Sequence, residues 1–162
     1  MSGAIDRFIE AAQAQGLHPE VRRFPEGTKT AADAARAIGC DVGQIVKSLV
    51  FTARGPGAGA GPVLALTSGS NRADVELLAA LLGADSVRRA TPEEARAATG
   101  FAVGGTPPFG HPGRVRTLCD RDLLAYDEVW AAAGTPDSVF PLSPADLLRV
   151  SGASIAEFAE GS

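Results

Sequence analysis

Val46-Lys47-Ser48-Leu49-Val50-Phe51-Thr52-Ala53 runs into Arg54-Gly55-Pro56-Gly57-Ala58-Gly59-Ala60-Gly61-Pro62 and then into Val63-Leu64-Ala65-Leu66-Thr67-Ser68. The reading of this stretch decides the fold. The two outer segments are short, rich in β-branched and apolar residues, and bounded by turn formers, which predicts strands. The middle segment is Gly, Pro and Ala with nothing to pack, so it reads as a flexible hairpin loop. Two strands joined in this way pair antiparallel. A purely parallel doubly wound sheet is therefore excluded in favour of a mixed sheet flanked by helices.

Working outward, helices and strands are interspersed. Upstream, Ile5, Phe8, Ile9 and Ala12 recur at helical spacing over residues 4–15, and Val21 to Phe24 reads as a short strand. Thr30-Ala31-Ala32-Asp33 opens an Ala-rich helix that Gly39 ends, and Val42 to Val46 adds a helical turn. Downstream, Asp74 to Leu82 reads as a helix with Val75, Leu78, Leu81 and Leu82 inward. Ser86 to Ala90 reads as a strand. Thr91-Pro92-Glu93-Glu94 is a helix start with Thr as N-cap, Pro in the first turn and Glu closing the box. Phe101 to Val103 reads as extended, Val115 to Cys119 as a strand and Asp120 to Leu124 as a helical turn. Glu128 to Ala133 and Ser138 to Leu142 complete the strands. Ser143-Pro144-Ala145-Asp146 starts a last helix with Leu147, Leu148 and Val150 inward.

The 162 residues fit one domain over 1–162, without an internal repeat or linker. Hydrophobic residues at 45% and charged residues at 21% exclude a disordered chain, a coiled coil and a collagen-like repeat. A net charge of −4 and the lack of a basic run argue against a duplex DNA binder, which relies on many Lys and Arg phosphate contacts. Cys40 and Cys119 stand in no metal-ligand spacing and read as reduced thiols of a cytoplasmic protein. The amphipathic, acid-bearing start is neither a signal peptide nor a membrane span.

No metal motif, phosphate-binding Gly loop or nucleophile elbow is present. Chemistry here would rest on positioning, backbone donors and a lysine. The chain has two lysines, Lys29 and Lys47, among 15 basic residues. Alternation puts Lys47 on one strand face with Leu49 and Phe51, and Val46, Ser48 and Val50 on the other. A cation between large apolar groups suggests a pocket wall, where burial lowers its pKa; the alternative is a strand-start lysine snorkelling to water. In Gly104-Gly105-Thr106-Pro107-Pro108-Phe109-Gly110-His111-Pro112-Gly113 the glycines permit close backbone approach and the prolines stiffen the path. Such a loop can orient a carbonyl with its N–H groups, or it is a rigid turn without a ligand. Thr67-Ser68-Gly69-Ser70-Asn71-Arg72, between a strand and a helix, is a third candidate. The Arg22-Arg23 and Arg88-Arg89 pairs read as solvated faces. Arg114 and Arg116, beside the glycine loop, are the pair to test for phosphate contact.

Four stretches in order carry a resemblance. They are Thr28-Lys29-Thr30-Ala31-Ala32-Asp33 leading to Val46-Lys47-Ser48-Leu49, then Ser68-Gly69-Ser70-Asn71-Arg72, then Ala90-Thr91-Pro92-Glu93-Glu94, then Thr99-Gly100 through His111. From about Leu17 to Ala153 they resemble the YbaK/prolyl-tRNA synthetase-associated domain family of aminoacyl-tRNA editing domains.

The resemblance implies an α+β fold with one mixed, strongly curved sheet enclosed by helices. It implies hydrolysis of the ester in mischarged aminoacyl-tRNA, typically tRNA-Pro carrying alanine or cysteine, with no cofactor and no covalent protein nucleophile. The implied functional residue is Lys47. The implied substrate-binding residues are Thr28, Ser68, Gly69, Asn71, Gly104, Gly105, Thr106, Pro107, Gly110, His111 and Gly134. The implied partners are the acceptor end of an aminoacyl-tRNA and prolyl-tRNA synthetase. Cysteine-directed relatives tend to carry an acid in the strand after Gly134; here that strand is Ser138-Val139-Phe140. The alternative from another class is a non-catalytic module that binds an aminoacyl or adenylate ligand or regulates a synthetase.

Overall fold

A computed structural model describes residues 3–25, 30–56 and 60–161. Its elements run α1 (Ala4–Ala14), β1 (Arg22–Arg23), α2 (Ala31–Ile38), a 3-10 turn (Val42–Gln44), β2 (Val46–Arg54), β3 (Gly61–Ser68), α3 (Val75–Leu82), β4 (Ser86–Arg89) and α4 (Pro92–Thr99). They continue with β5 (Arg116–Asp120), a 3-10 turn (Arg121–Ala125), β6 (Val129–Ala132), β7 (Ser138–Leu142), α5 (Pro144–Ser151) and β8 (Ser154–Ala156).

The hairpin is where the sequence puts it. β2 and β3 pair antiparallel from Val46 opposite Ser68 to Ala53 opposite Gly61. β4 adds antiparallel to the far half of β2, while β5 lies parallel to β3 and β8 parallel to β5. The fold is thus α+β with a mixed sheet in the order β4-β2-β3-β5-β8. The expectation of one strongly curved sheet is corrected. β1, β7 and β6 form a separate three-stranded antiparallel sheet, met by the first, among the described residues, through one parallel bridge between Ile45 and Trp130. In the smaller sheet β7 is the centre, paired antiparallel with β1 on one side and β6 on the other.

Alternation explains the layers. Val46, Val50, Leu64 and Leu66 point into a core shared with Ala131, Phe140, Leu147 and Phe8. On the opposite face, Phe51, Ala53, Val63 and Ala65 meet Leu78 and Leu82 of α3 and Phe158. Trp130 and Val139, on the outer face of the smaller sheet, pack under α2 against Ala34 and Ala35. α3 reaches its core through Leu78 and Leu82, one helical turn apart. Leu81, off that stripe, turns outward at 46% exposure, and Val75, at the first position of the helix, stays 39% exposed, both against expectation.

The helix starts follow their side chains. Thr30 Oγ1 accepts from the Asp33 N–H at 3.0 Å, and Thr91 and Glu94 close a reciprocal capping box. Each such cap contributes about 1 kcal/mol. Phe101 to Val103 is a bend and turn rather than extended, because Phe101 is drawn into the core and the Gly105 N–H closes back on the Ala102 carbonyl at 3.0 Å. Three rings fix the segment that follows. Phe109 lies 5.3 Å from Phe8 of α1 and 6.3 Å from Phe140 of β7, centroid to centroid. The glycine loop is thereby bolted to two elements distant in sequence. β8, which the sequence reading missed, is too short and exposed to carry a pattern.

Candidate active site

β4 stops pairing with β2 at its near end, where the Ala90 N–H donates to the Val50 carbonyl at 3.0 Å. Val50 main-chain groups therefore point away from β3, and by the two-residue period those of Ser48 point the same way. With β4 absent there, this edge of β2 faces a cavity of about 750 Å³ between the two sheets. Its walls include Thr30, Ala31 and Ala34 from α2, residues 46–50 of β2, Gly69, Arg89 and Ala95. Val103, Gly104 and Thr106 of the glycine loop, Trp130 to Ala132, Ser138 and Val139 close the other side.

Lys47 stands in this wall. Its Nζ donates to the main-chain carbonyl of Asn71 at 2.5 Å, which leaves two further protons to offer. Burial pushes its pKa below the ordinary lysine value, Arg72 and Arg89 push the same way, and Asp120 opposes them. Arg89 also lines the cavity, with its guanidinium 5.6 Å from the Phe51 ring centroid. Arg89 is exposed, as expected of a solvated face, and stands at the cavity rim as well. Its neighbour Arg88 instead turns to Glu94 at 2.8 Å. Arg114 and Arg116, the pair singled out for phosphate, are exposed and outside the cavity wall.

The turn after β3 is held on every side. The Gly69 N–H donates to the Ile45 carbonyl at 2.7 Å, and Ser68 Oγ to the Gly43 carbonyl at 2.8 Å. A Cβ at Gly69 would stand 2.3 Å from the Val42 carbonyl oxygen, so only glycine fits that approach. Asp120, buried at the end of β5, accepts from the Ser68 N–H and from Asn71 Nδ2. Sequence reasoning missed Asp120 and Arg89. An acid closing a strand and capping the next turn is a detectable signal for the first; nothing in the pattern marks the second.

Of the residues expected at the site, Lys47, Gly69, Gly104 and Thr106 line the cavity together, and Asn71 reaches it through Lys47. The others stand behind the wall. Gly105 packs on the 134–135 turn, and Gly134 on the main chain of Ala4. Gly110 takes φ +85° against Ala11. Pro107 is buried, and its carbonyl is 2.9 Å from His111 Nε2. Burial lowers the His111 pKa against that bond, so the imidazole braces the loop from outside the cavity. Ser68 is buried beneath the turn. Thr28 lies outside the described residues.

Neither cysteine is an activated thiol. Both are free; burial, reinforced by Asp120, pushes Cys119 up to about 12, and burial with Asp41 raises Cys40. Among the described residues no group of three or more His, Cys, Asp or Glu could hold a metal ion, and no helix is long and apolar enough to cross a membrane. The site offers a cationic lip, a stiff glycine lip and an apolar chamber between them.

Residues 25–150 match the aminoacyl-tRNA editing domain family, and the chain belongs to that family. Among its relatives, a proline–tRNA ligase of Nitratidesulfovibrio vulgaris is 37% identical over 97 residues, which cover 60% of this chain and 16% of that ligase. The chain thus spans about one sixth of the ligase's length. The "Putative Cys-tRNA(Pro)/Cys-tRNA(Cys) deacylase EbsC" of Enterococcus faecalis is 27% identical over 83% of this chain and 79% of its own. A crystal structure described as a "putative trans-editing enzyme for prolyl tRNA synthetase" superposes with a TM-score of 0.90 at 45% identity, over 99% of both chains.

Proposed function

We propose that this protein is a trans-editing deacylase that hydrolyses the ester of mischarged aminoacyl-tRNA, with tRNA-Pro bearing a small amino acid as its substrate. The observation that supports the reading is that Lys47, Gly104 and Thr106 line one chamber. The chamber is lined largely by Ala and Val side chains, with Gly69 and Gly104 in its wall, which suits a small aminoacyl group. Lys47 and Arg89 hold the 3′-terminal phosphate and ester, and main-chain N–H groups of the glycine loop orient the carbonyl.

The attacking oxygen adds to the carbonyl carbon, and the ester oxygen leaves as the ribose hydroxyl with a proton. With a neutral Cys119 and a braced His111, the attacking group comes from water or from the substrate itself. The names of the relatives support tRNA-Pro as the carrier and a prolyl-tRNA synthetase as the partner that supplies wider tRNA contact.

The test is a deacylation panel of tRNA-Pro charged with Ala, Cys, Ser and Pro, with Ala-tRNA and Cys-tRNA as controls. Release from a mischarged tRNA-Pro but not from Pro-tRNA-Pro, lost in a folded Lys47→Ala variant, is the expected result. No release from any of them, with ligand-dependent melting shifts, would replace this reading with that of a non-catalytic binding module.

A further inference from the structure

Asp120 closes β5 with its side chain buried at 2% exposure. Its Oδ2 accepts from the Ser68 N–H at 3.0 Å and from Asn71 Nδ2 at 2.9 Å, and its Oδ1 accepts from the Asp122 N–H at 3.0 Å. Three donors converge on one carboxyl group, which suits a side chain that accepts at both oxygens. Two of those donors belong to the first and last residues of the Ser68–Asn71 turn. The last of them, Asn71, offers its own main-chain carbonyl to Lys47 Nζ.

We propose that Asp120 is a positioning residue for Lys47: its carboxyl group fixes the Ser68–Asn71 turn, and that turn presents the Asn71 carbonyl that holds the ammonium at the cavity wall. The consequence for catalysis rests on the deacylase reading; the positioning itself does not.

The charges around the pair fit this role. Arg72 and Arg89 act on Lys47 as like charges, while Asp120 is the opposing one. Asp122 shares Asn71 Nδ2 with it at 2.8 Å from the solvent side, and Arg121 and Glu157 border the small hollow behind it. Replacing Asp120 by Asn keeps the shape but turns one acceptor edge into a donor. That edge then opposes either the turn or the Asp122 N–H.

The test reads Lys47 directly. With two lysines in the chain, ¹⁵N-lysine labelling gives two side-chain resonances, and Lys47→Arg assigns them. In Asp120→Asn the Lys47 titration midpoint moves further down than in the wild type, and kcat on mischarged tRNA falls on the order of 10- to 100-fold. Asn71→Ala removes the Nδ2 donor but keeps the carbonyl; it moves both readouts the same way by less, and decides the matter if Asp120→Asn does not fold. Glu157→Gln removes a nearby charge outside the clamp and leaves both readouts as in the wild type. Folded Asp120→Asn or Asn71→Ala protein with wild-type Lys47 titration and kcat overturns the proposal, as does a Glu157→Gln protein that reproduces the shift. If the wild type releases no amino acid, the deacylase reading fails while the lysine resonances still judge the clamp.

Discussion

Gly105 lies so close to Thr135 that a Cβ at position 105 would stand 2.7 Å from the Thr135 Cα and 2.9 Å from the Gly134 carbonyl oxygen. Both neighbours are main chain and cannot rotate aside. Gly105→Ala must therefore push the glycine loop off the 134–135 turn, at a cost of about 1–3 kcal/mol. The expected melting temperature falls by roughly 3–10 °C, and deacylation falls with it because Gly104 and Thr106 flank the displaced residue. Differential scanning calorimetry beside the ester assay checks both; an unchanged melting temperature refutes the contact.

The lowered pKa of Lys47 sets a sign for pH. A step that needs the ammonium is lost as pH rises through a value below the ordinary lysine 10.5. For stability the sign is opposite, because the folded state binds fewer protons than the unfolded one between those two pKa values. Wild-type stability therefore rises with pH in that window relative to Lys47→Met. Urea midpoints of the two proteins from pH 7 to 10.5 measure the difference; parallel curves would show that Lys47 titrates as an ordinary exposed lysine.

Arg89 lines the cavity and, among the described residues, has no carboxylate bonded to it, in contrast to Arg88. If it meets phosphate, Arg89→Ala weakens binding of an uncharged CCA-ended oligoribonucleotide. It also reduces the slope of log affinity against log salt by about 1. Arg116→Ala, on the exposed start of β5, leaves that slope unchanged. Fluorescence anisotropy at several salt concentrations reads both variants.

Glu94 is held down to about 2, first by its hydrogen bonds to Arg88 and then by the Thr91 N–H. A depressed carboxyl pKa contributes stability that is present above the unfolded value of about 4.5 and lost as pH falls towards 2. Glu94→Gln should flatten the acid limb of a stability curve across that window. Acid titration followed by circular dichroism tests it, and an unchanged limb counts against the pairing.

Ser48 Oγ is buried and, among the described residues, has no hydrogen-bond partner. Leaving a hydroxyl in that condition costs about 1–3 kcal/mol. Ser48→Ala is therefore expected to melt at or above the wild-type temperature. A clear loss of stability would mean that the hydroxyl has a partner after all.

Much of this arrangement was legible in the sequence for definite reasons. The Gly-Pro-Ala loop between two β-rich runs could be nothing but a hairpin, and Thr30, Thr91 and Ser143 mark helix starts because their hydroxyls close on N–H groups three residues on. Lys47 stood out by its apolar strand neighbours. The division into two sheets was not legible, since it depends on where β4 stops pairing with β2, a tertiary event with no local signature. Nor was the role of Arg89: its residue type and neighbours are those of a solvent-facing strand end, and only the missing stretch of β4 opens a cavity beside it. His111 and Gly134 were legible as constrained residues, but spacing alone could not separate lining a chamber from bracing it.

The seam between the sheets has a consequence for how selectivity changes. The chamber is the gap left where two blocks part, joined at Ile45 and Trp130, rather than a hole drilled through one of them. Trp130 and Val139, which line it, also seat beneath α2 against Ala34 and Ala35. Trading bulk at those two buried positions is expected to re-gauge the size of guest that the chamber admits, with Lys47 left on its own strand.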